Sequence, residues 1–247
     1  MPTFDSLAKS GLTYRLLMIL ALSICAAFAG PVRADDRQSQ TAPEVDAFFK
    51  LSDRFRLFTT ASLTQSVSEG TSDGELGAYL DVLALRPIIR EALFDDLDWE
   101  RNGYLWGRAG LAFSGIHEGL ALSNGYAEKS FVIELTGRYP MSSEFWLVLR
   151  VRTDLRELHG DRSNRYRVRL GIEKEYTVLG KTVVPYARVE FLYDTRFGVW
   201  NRQEYQTGVE VTLTQRFRIE PYYAFQNDTR TSPAHLDTVG LTLKYYR

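Results

Sequence analysis

VVPYARVEFLYDTR, residues 183–196, alternates along its length: Arg188 and Glu190 share one face, and Val189, Phe191 and Tyr193 the other. The next three segments repeat the pattern. Glu204, Gln206 and Glu210 oppose Tyr205, Val209, Val211 and Leu213. Arg218, Glu220 and Tyr222 oppose Phe217, Ile219, Tyr223 and Phe225. Thr238, Gly240, Thr242 and Lys244 oppose Val239, Leu241, Leu243 and Tyr245. A period of two is that of a strand with one apolar and one polar face. Each segment is long enough to cross a bilayer when tilted, which takes about nine to eleven residues. The pattern predicts an all-β fold: a closed antiparallel up-and-down transmembrane β-barrel.

Working outward from this stretch, Arg54–Gln65, Glu75–Leu85, Gly103–Ser114, Tyr126–Tyr139, Glu144–Arg156 and Arg165–Tyr176 also read as strands. With the four segments above they make about ten (eight to twelve), an even number as bacterial single-chain barrels usually have. Pro185 and Pro221 fall near strand starts, where the missing N–H matters least. Residues 86–102 lose the alternation. Parity assigns 140–143, 177–182 and 214–216 to the periplasmic side, and the loops 66–74, 115–125, 157–164, 196–201 and 227–235 to the outside. Short periplasmic turns and longer outer loops are the barrel norm.

Lys9 and Arg15 precede the apolar run Leu16–Gly30, followed by Pro31-Val32-Arg33-Ala34. A charged start, a short apolar core and small residues at a cleavage position describe a secretory signal peptide, residues 1–34. Residues 35–52 read as a polar lead-in and 53–247 as the barrel, located in the outer membrane. The single cysteine, Cys25, lies inside the leader, so the mature chain has no thiol chemistry. The net charge of −1 over 247 residues gives no sign of nucleic-acid binding. The expected partners are outer-membrane lipid and the barrel-assembly machinery.

The polar face is ionic. Arg150, Arg152, Arg167, Arg169, Glu173, Arg188 and Glu190 are assigned to the lumen, as Arg–carboxylate pairs with bidentate geometry. A barrel of this size has little interior room beyond its own side chains. The alternative is a narrow anion-selective pore along Arg150, Arg152, Arg167 and Arg169. Aromatics gather at the strand ends: Tyr139, Phe145, Tyr176, Phe217 and Tyr245 at one, Phe113, Tyr166, Tyr193, Tyr205, Tyr223 and Phe225 at the other. Two girdles around an aliphatic band mark a lipid-facing surface.

Loops near the last four strands carry a polar set proposed to bind a ligand: Asp194, Arg196, Trp200, Arg202, Asp228 and Arg230. Arginine there suits phosphate. Ser232 and His235, with Asp228 to orient the imidazole, are the candidates for an outer-membrane lipid hydrolase. No Gly-x-Ser-x-Gly, phosphate-cradling glycine loop or dinucleotide fingerprint is present, and three scattered histidines make no metal site. No cofactor is expected.

YDTRFGVWNRQEYQTGVEV (193–211), EPYYAFQNDTRTSP followed by His235, and the final VGLTLKYY (239–246) resemble an uncharacterised family of bacterial proteins, a domain of unknown function that reads as outer-membrane barrels. The resemblance spans about residues 125–247. It implies fold and location and carries over no catalytic role.

Overall fold

The computed structural model describes residues 37–67, 71–85, 104–118, 127–141, 145–158, 160–230 and 234–247. The leader 1–34 and the whole 86–102 connection lie outside the described residues. Among the described residues twelve strands form one sheet: β1 (Arg37–Lys50), β2 (Phe55–Ser66), β3 (Thr71–Leu85), β4 (Leu105–Glu118), β5 (Ala127–Pro140), β6 (Phe145–Leu158), β7 (Asp161–Lys174), β8 (Tyr176–Val178), β9 (Lys181–Asp194), β10 (Val199–Thr212), β11 (Phe217–Asp228) and β12 (His235–Tyr246). Neighbours pair in chain order. β9 pairs with both β7 and β10, and β1 with β12, so eleven strands close a ring. The three-residue β8 stands outside the ring as an extra rung beside the start of β9, beyond a break at Glu175.

The stretch read as a polar lead-in, 35–52, holds β1 (Arg37–Lys50), which completes the wall. The ring therefore has eleven strands, within the expected eight to twelve but odd rather than even, and an odd count forces the first and last strands to run in the same direction. The β1–β12 pairing is parallel from Arg37 beside His235 to Phe48 beside Tyr246, while every other pair is antiparallel. Pro43 stands in the middle of β1, and the ladder to β2 skips it. The supposed outer loop 157–164 is mostly strand, because Leu158 already pairs with Asp161. The barrel has two rims. The first carries the connections after β2, β4, β6, β9 and β11. The second carries the ends of β1, β3, β5, β7, β10 and β12.

Side-chain direction is settled by β5. Phe131, Ile133 and Leu135 are 42%, 50% and 51% exposed, while Val132, Glu134 and Thr136 between them are 0%, 6% and 4% exposed. The same parity places Leu111, Leu149, Val151, Leu170, Ile172, Val239 and Leu241 on the exterior. The exposed aromatics Tyr139, Phe145, Tyr176 and Phe217 lie toward the second rim and Phe113, Tyr166, Trp200 and Tyr205 toward the first.

The interior is not wholly ionic. Tyr246, Phe48, Phe58 and Tyr79 occupy neighbouring strands at one level, with centroids 4.7, 4.7 and 5.4 Å apart in sequence around the wall. Arginines cap this ladder: Arg56 over Phe48 at 4.3 Å, Arg108 over Phe58 at 3.8 Å and Arg218 over Tyr246 at 4.4 Å. Such cation–ring contacts stabilise by about 0.5–2 kcal/mol each where water is excluded. Tyrosines also lie against glycines of the next strand, Tyr79 against Gly110 and Tyr222 against Gly240. A Cβ at Gly110 would sit 2.2 Å from the carbonyl oxygen of Ala78 and 2.5 Å from Tyr79 Cα. Only glycine permits that approach.

Gly110→Ala is therefore expected to destabilise the barrel by about 1–3 kcal/mol, since backbone must move to admit the methyl group. At Gly107 the nearest atom to an added Cβ is 3.7 Å away, so Gly107→Ala is expected to change stability by less than about 0.5 kcal/mol. Urea unfolding of the two variants in detergent checks the contrast.

Candidate functional site

Alternation points one residue in two at the barrel axis, so the ionic residues of the sequence meet across the interior. On β6 and β7, Arg150 pairs in register with Arg169 and Arg152 with Arg167. Like charges directly opposite repel, and carboxylates from both sides hold them. Glu190 Oε2 accepts from Arg150 Nη2 at 2.7 Å and from Arg169 Nε at 2.8 Å. Asp154 lies 2.5 Å from Arg152 Nε and 3.0 Å from Arg167 Nη2. Glu134 is 3.6 Å from Arg150. Nearer the second rim, Glu173 lies between Arg138 at 3.1 Å and Arg188 at 3.7 Å. Glu220 takes Lys244 at 2.6 Å, Arg188 at 3.6 Å and the hydroxyl of Tyr186, which donates at 2.5 Å. All seven residues assigned to the lumen from sequence belong to this lattice. Tyr186 and Lys244 join it; their inward parity was the signal for both.

The residues proposed to bind a ligand serve two turns of the same design. The sequence holds Asp-Thr-Arg twice, at 194–196 and 228–230. In each, the carboxylate accepts the backbone N–H two residues on, from Arg196 at 2.9 Å and from Arg230 at 2.9 Å. This is the aspartate turn that a short acceptor side chain makes with its own backbone. An inward arginine from another strand completes each one: Arg156 Nη2 donates to Asp194 at 2.7 Å, and Arg202 Nε to Asp228 at 3.0 Å. A bulge in β10 between Trp200 and Arg202 lets Asn201 reach Asp228 as well, at 3.2 Å. Both aspartates are 1% exposed. Trp200 points the other way; it is 58% exposed and meets Tyr193 edge-on at 5.6 Å. The set is thus divided between turn locks and the exterior surface.

The hydrolase candidates are not brought together. Asp228 is engaged by Asn201, Arg202 and the Arg230 amide on the inner side. His235 lies with the outward set, stacked on Phe225 at 5.8 Å, and Phe225 in turn lies under Arg37. Arg37 is paired with Asp237, which also accepts from Tyr223. Ser232 lies outside the described residues. Among the described residues no group of three or more His, Cys, Asp or Glu is placed to hold a metal ion.

No protein-family model and no curated protein matches the chain. Among solved structures it is similar to the β domain of the Bordetella autotransporter BrkA, at 15% identity and a TM-score of 0.45, over 77% of this chain and 84% of that one.

Arg156 has no exposed side-chain surface and is held by Asp194 and, at 3.2 Å, by Glu128. Asp194→Ala is expected to cost about 3–5 kcal/mol by leaving a buried cation short of its partner. Glu157 and Arg162 sit 4.0 Å apart on the surface, so Glu157→Ala is expected to cost less than about 1 kcal/mol. Unfolding midpoints in urea, compared with the parent, measure both.

Proposed function

We propose that the chain is an outer-membrane β-barrel, exported by the signal peptide 1–34, whose lumen is closed to free passage by its Arg–carboxylate lattice. Its role on this reading is structural or ligand-binding. One observation carries it: the exterior is leucine, isoleucine, valine and aromatic, while the interior gathers the arginine, aspartate and glutamate around one aromatic ladder. A soluble barrel has the reverse arrangement, because exposed apolar area of this extent demands a nonaqueous partner. Strands of twelve to fifteen residues in the ring exceed the roughly nine to eleven needed to span. Aromatics toward both ends of the apolar belt suit the two membrane interfaces. Membership of the uncharacterised outer-membrane family, read from residues 193–246, belongs to the same proposal, as does delivery by the barrel-assembly machinery.

Closure is supported by the pairing inside. Arg150, Arg152, Arg167 and Arg169, the residues of the alternative anion path, all share Asp154, Glu134 or Glu190. The aromatic ladder from Tyr246 to Tyr79 occupies further interior volume. The lipid-hydrolase alternative has no such support, since Asp228 is committed to a turn lock.

The full chain, expressed in a Gram-negative host, is expected in the outer-membrane fraction and to migrate faster on a gel before boiling than after. Reconstituted in a planar bilayer, it is expected to give no discrete current steps. A mature chain that stays soluble without detergent would remove the membrane reading, and regular anion-selective steps would remove the closed lumen.

A further inference from the structure

β1 carries two acids on its inward face, beside the seam. Glu44 and Asp46 stand two residues apart, about 7 Å along the strand, and both follow the inward parity of Ala42 and Phe48. Asp46 is 7% exposed, and its Oδ1 is buried without a hydrogen-bond partner. Among the described residues neither acid enters an ion pair. Lys244, beside Asp46 in register, turns its Nζ to Glu210 at 2.7 Å and to Glu220 at 2.6 Å. Thr60, beside Asp46 on the other side, donates its hydroxyl to Glu44 Oε1 at 3.3 Å. A buried carboxylate that meets no cation is strongly disfavoured. The next inward layer toward the second rim is the aromatic ladder, with Phe48 following Asp46 on β1 and Phe58 preceding Thr60 on β2. The two acids therefore stand on the first-rim side of the ladder, and Glu44 is only half-buried there.

We propose that Glu44 and Asp46 form a binding site for calcium, a hard divalent cation, with the hydroxyls of Thr60, Ser62 and Thr242 around it. Ser62 and Thr242 are the register neighbours of Glu44 on β2 and β12. A hydroxyl that donates to a carboxylate still has lone pairs for a metal. The donors are all oxygen, and no imidazole or thiolate stands with them, which disfavours zinc and copper. Two carboxylates match a divalent charge. They are fewer than the three acids of a dedicated cage, so hydroxyls and water fill the remaining positions. Calcium tolerates such a set, taking about six to eight oxygens in irregular geometry, whereas magnesium demands a near-ideal octahedron. The ion supplies Asp46 with the opposite charge that its neighbours withhold. It also ties β1 to β2 and β12, the strands on either side of it. The site depends on the inward parity of β1 and is independent of the membrane and conductance readings.

The test is calorimetric titration of calcium chloride into the full chain, folded in detergent and freed of metal with a chelator, with heat-modifiable migration as the check on folding. Saturable binding of one calcium per barrel is expected, with Kd below about 1 mM. Asp46→Asn keeps the shape of the side chain and removes a buried charge, so this variant is expected to fold without calcium and to bind it at least about tenfold more weakly. Glu44→Gln is expected to weaken binding by a similar factor. Glu157→Gln, on the exterior near the first rim, is expected to bind like the parent. Calcium is also expected to raise the unfolding temperature of the parent and to leave that of Asp46→Asn unchanged. A folded parent that takes up no calcium at about 10 mM, as when a proton already neutralises Asp46, overturns the proposal. So does an Asp46→Asn barrel of unchanged affinity, or a Glu157→Gln barrel weakened as much as Asp46→Asn.

Discussion

Buried charge must find opposite charge, and this constraint organises the whole interior. Moving a single ion out of water costs several kcal/mol even after relaxation. Arg156, with no exposed side chain, is possible because Glu128 and Asp194 reach it from different strands. Asp81 is fully buried because Arg56 and Arg108 flank it. Such pairs span β2 to β4 and β5 to β9, so each is satisfied only when the wall between them is in register. A slip of one residue in any strand would turn its arginines outward and its leucines inward. The ionic lattice is weak evidence for net stability, because desolvation opposes it, but it selects one register strongly.

Closure follows from the same demand. An open sheet would leave two edges of unsatisfied N–H and C=O groups, and a closed ring leaves none. Here the ring closes between strands of the same direction. The seam is held by the parallel ladder of β1 on β12, by Gln40 donating to Thr238 at 2.8 Å, and by the stacking of Phe48 on Tyr246. Beyond the ladder, Lys50 N donates to Arg247 O at 2.7 Å and Arg247 N to Phe48 O at 2.9 Å. The last residues of the chain are thereby bound to the end of the first strand.

Much of this was legible in the sequence. The strands from β5 onward fall within a few residues of their expected bounds, because leucine, valine and phenylalanine alternate there with arginine and glutamate. β1 was legible only in part, as the weak alternation of Glu44–Leu51. Its outward residues at the first rim are Ser39, Thr41 and Pro43, which carry no apolar signal, and alternation begins only at Val45. The silence of its first half hid the odd strand count and the parallel seam with it. The inward facing of the charged residues was readable from parity, but their partners were not. Glu190 meets Arg150 from two strands away, a distance no local pattern encodes. Asp228 and His235 are near in sequence, yet a strand's alternation separates them onto opposite faces. The bulge at Asn201 that commits Asp228 to a turn lock has no sequence signature.

The most direct test of the account is which side of the wall faces lipid. The one cysteine of the sequence is Cys25, so in a Cys25→Ser chain single cysteines along β5 can carry a fluorophore in vesicles containing a nitroxide-labelled lipid. Strong quenching at positions 131, 133 and 135, with little at 130 and 136, is the expected result. Equal quenching at both parities, or strong quenching at 130 and 136 alone, would contradict the arrangement on which every other conclusion rests.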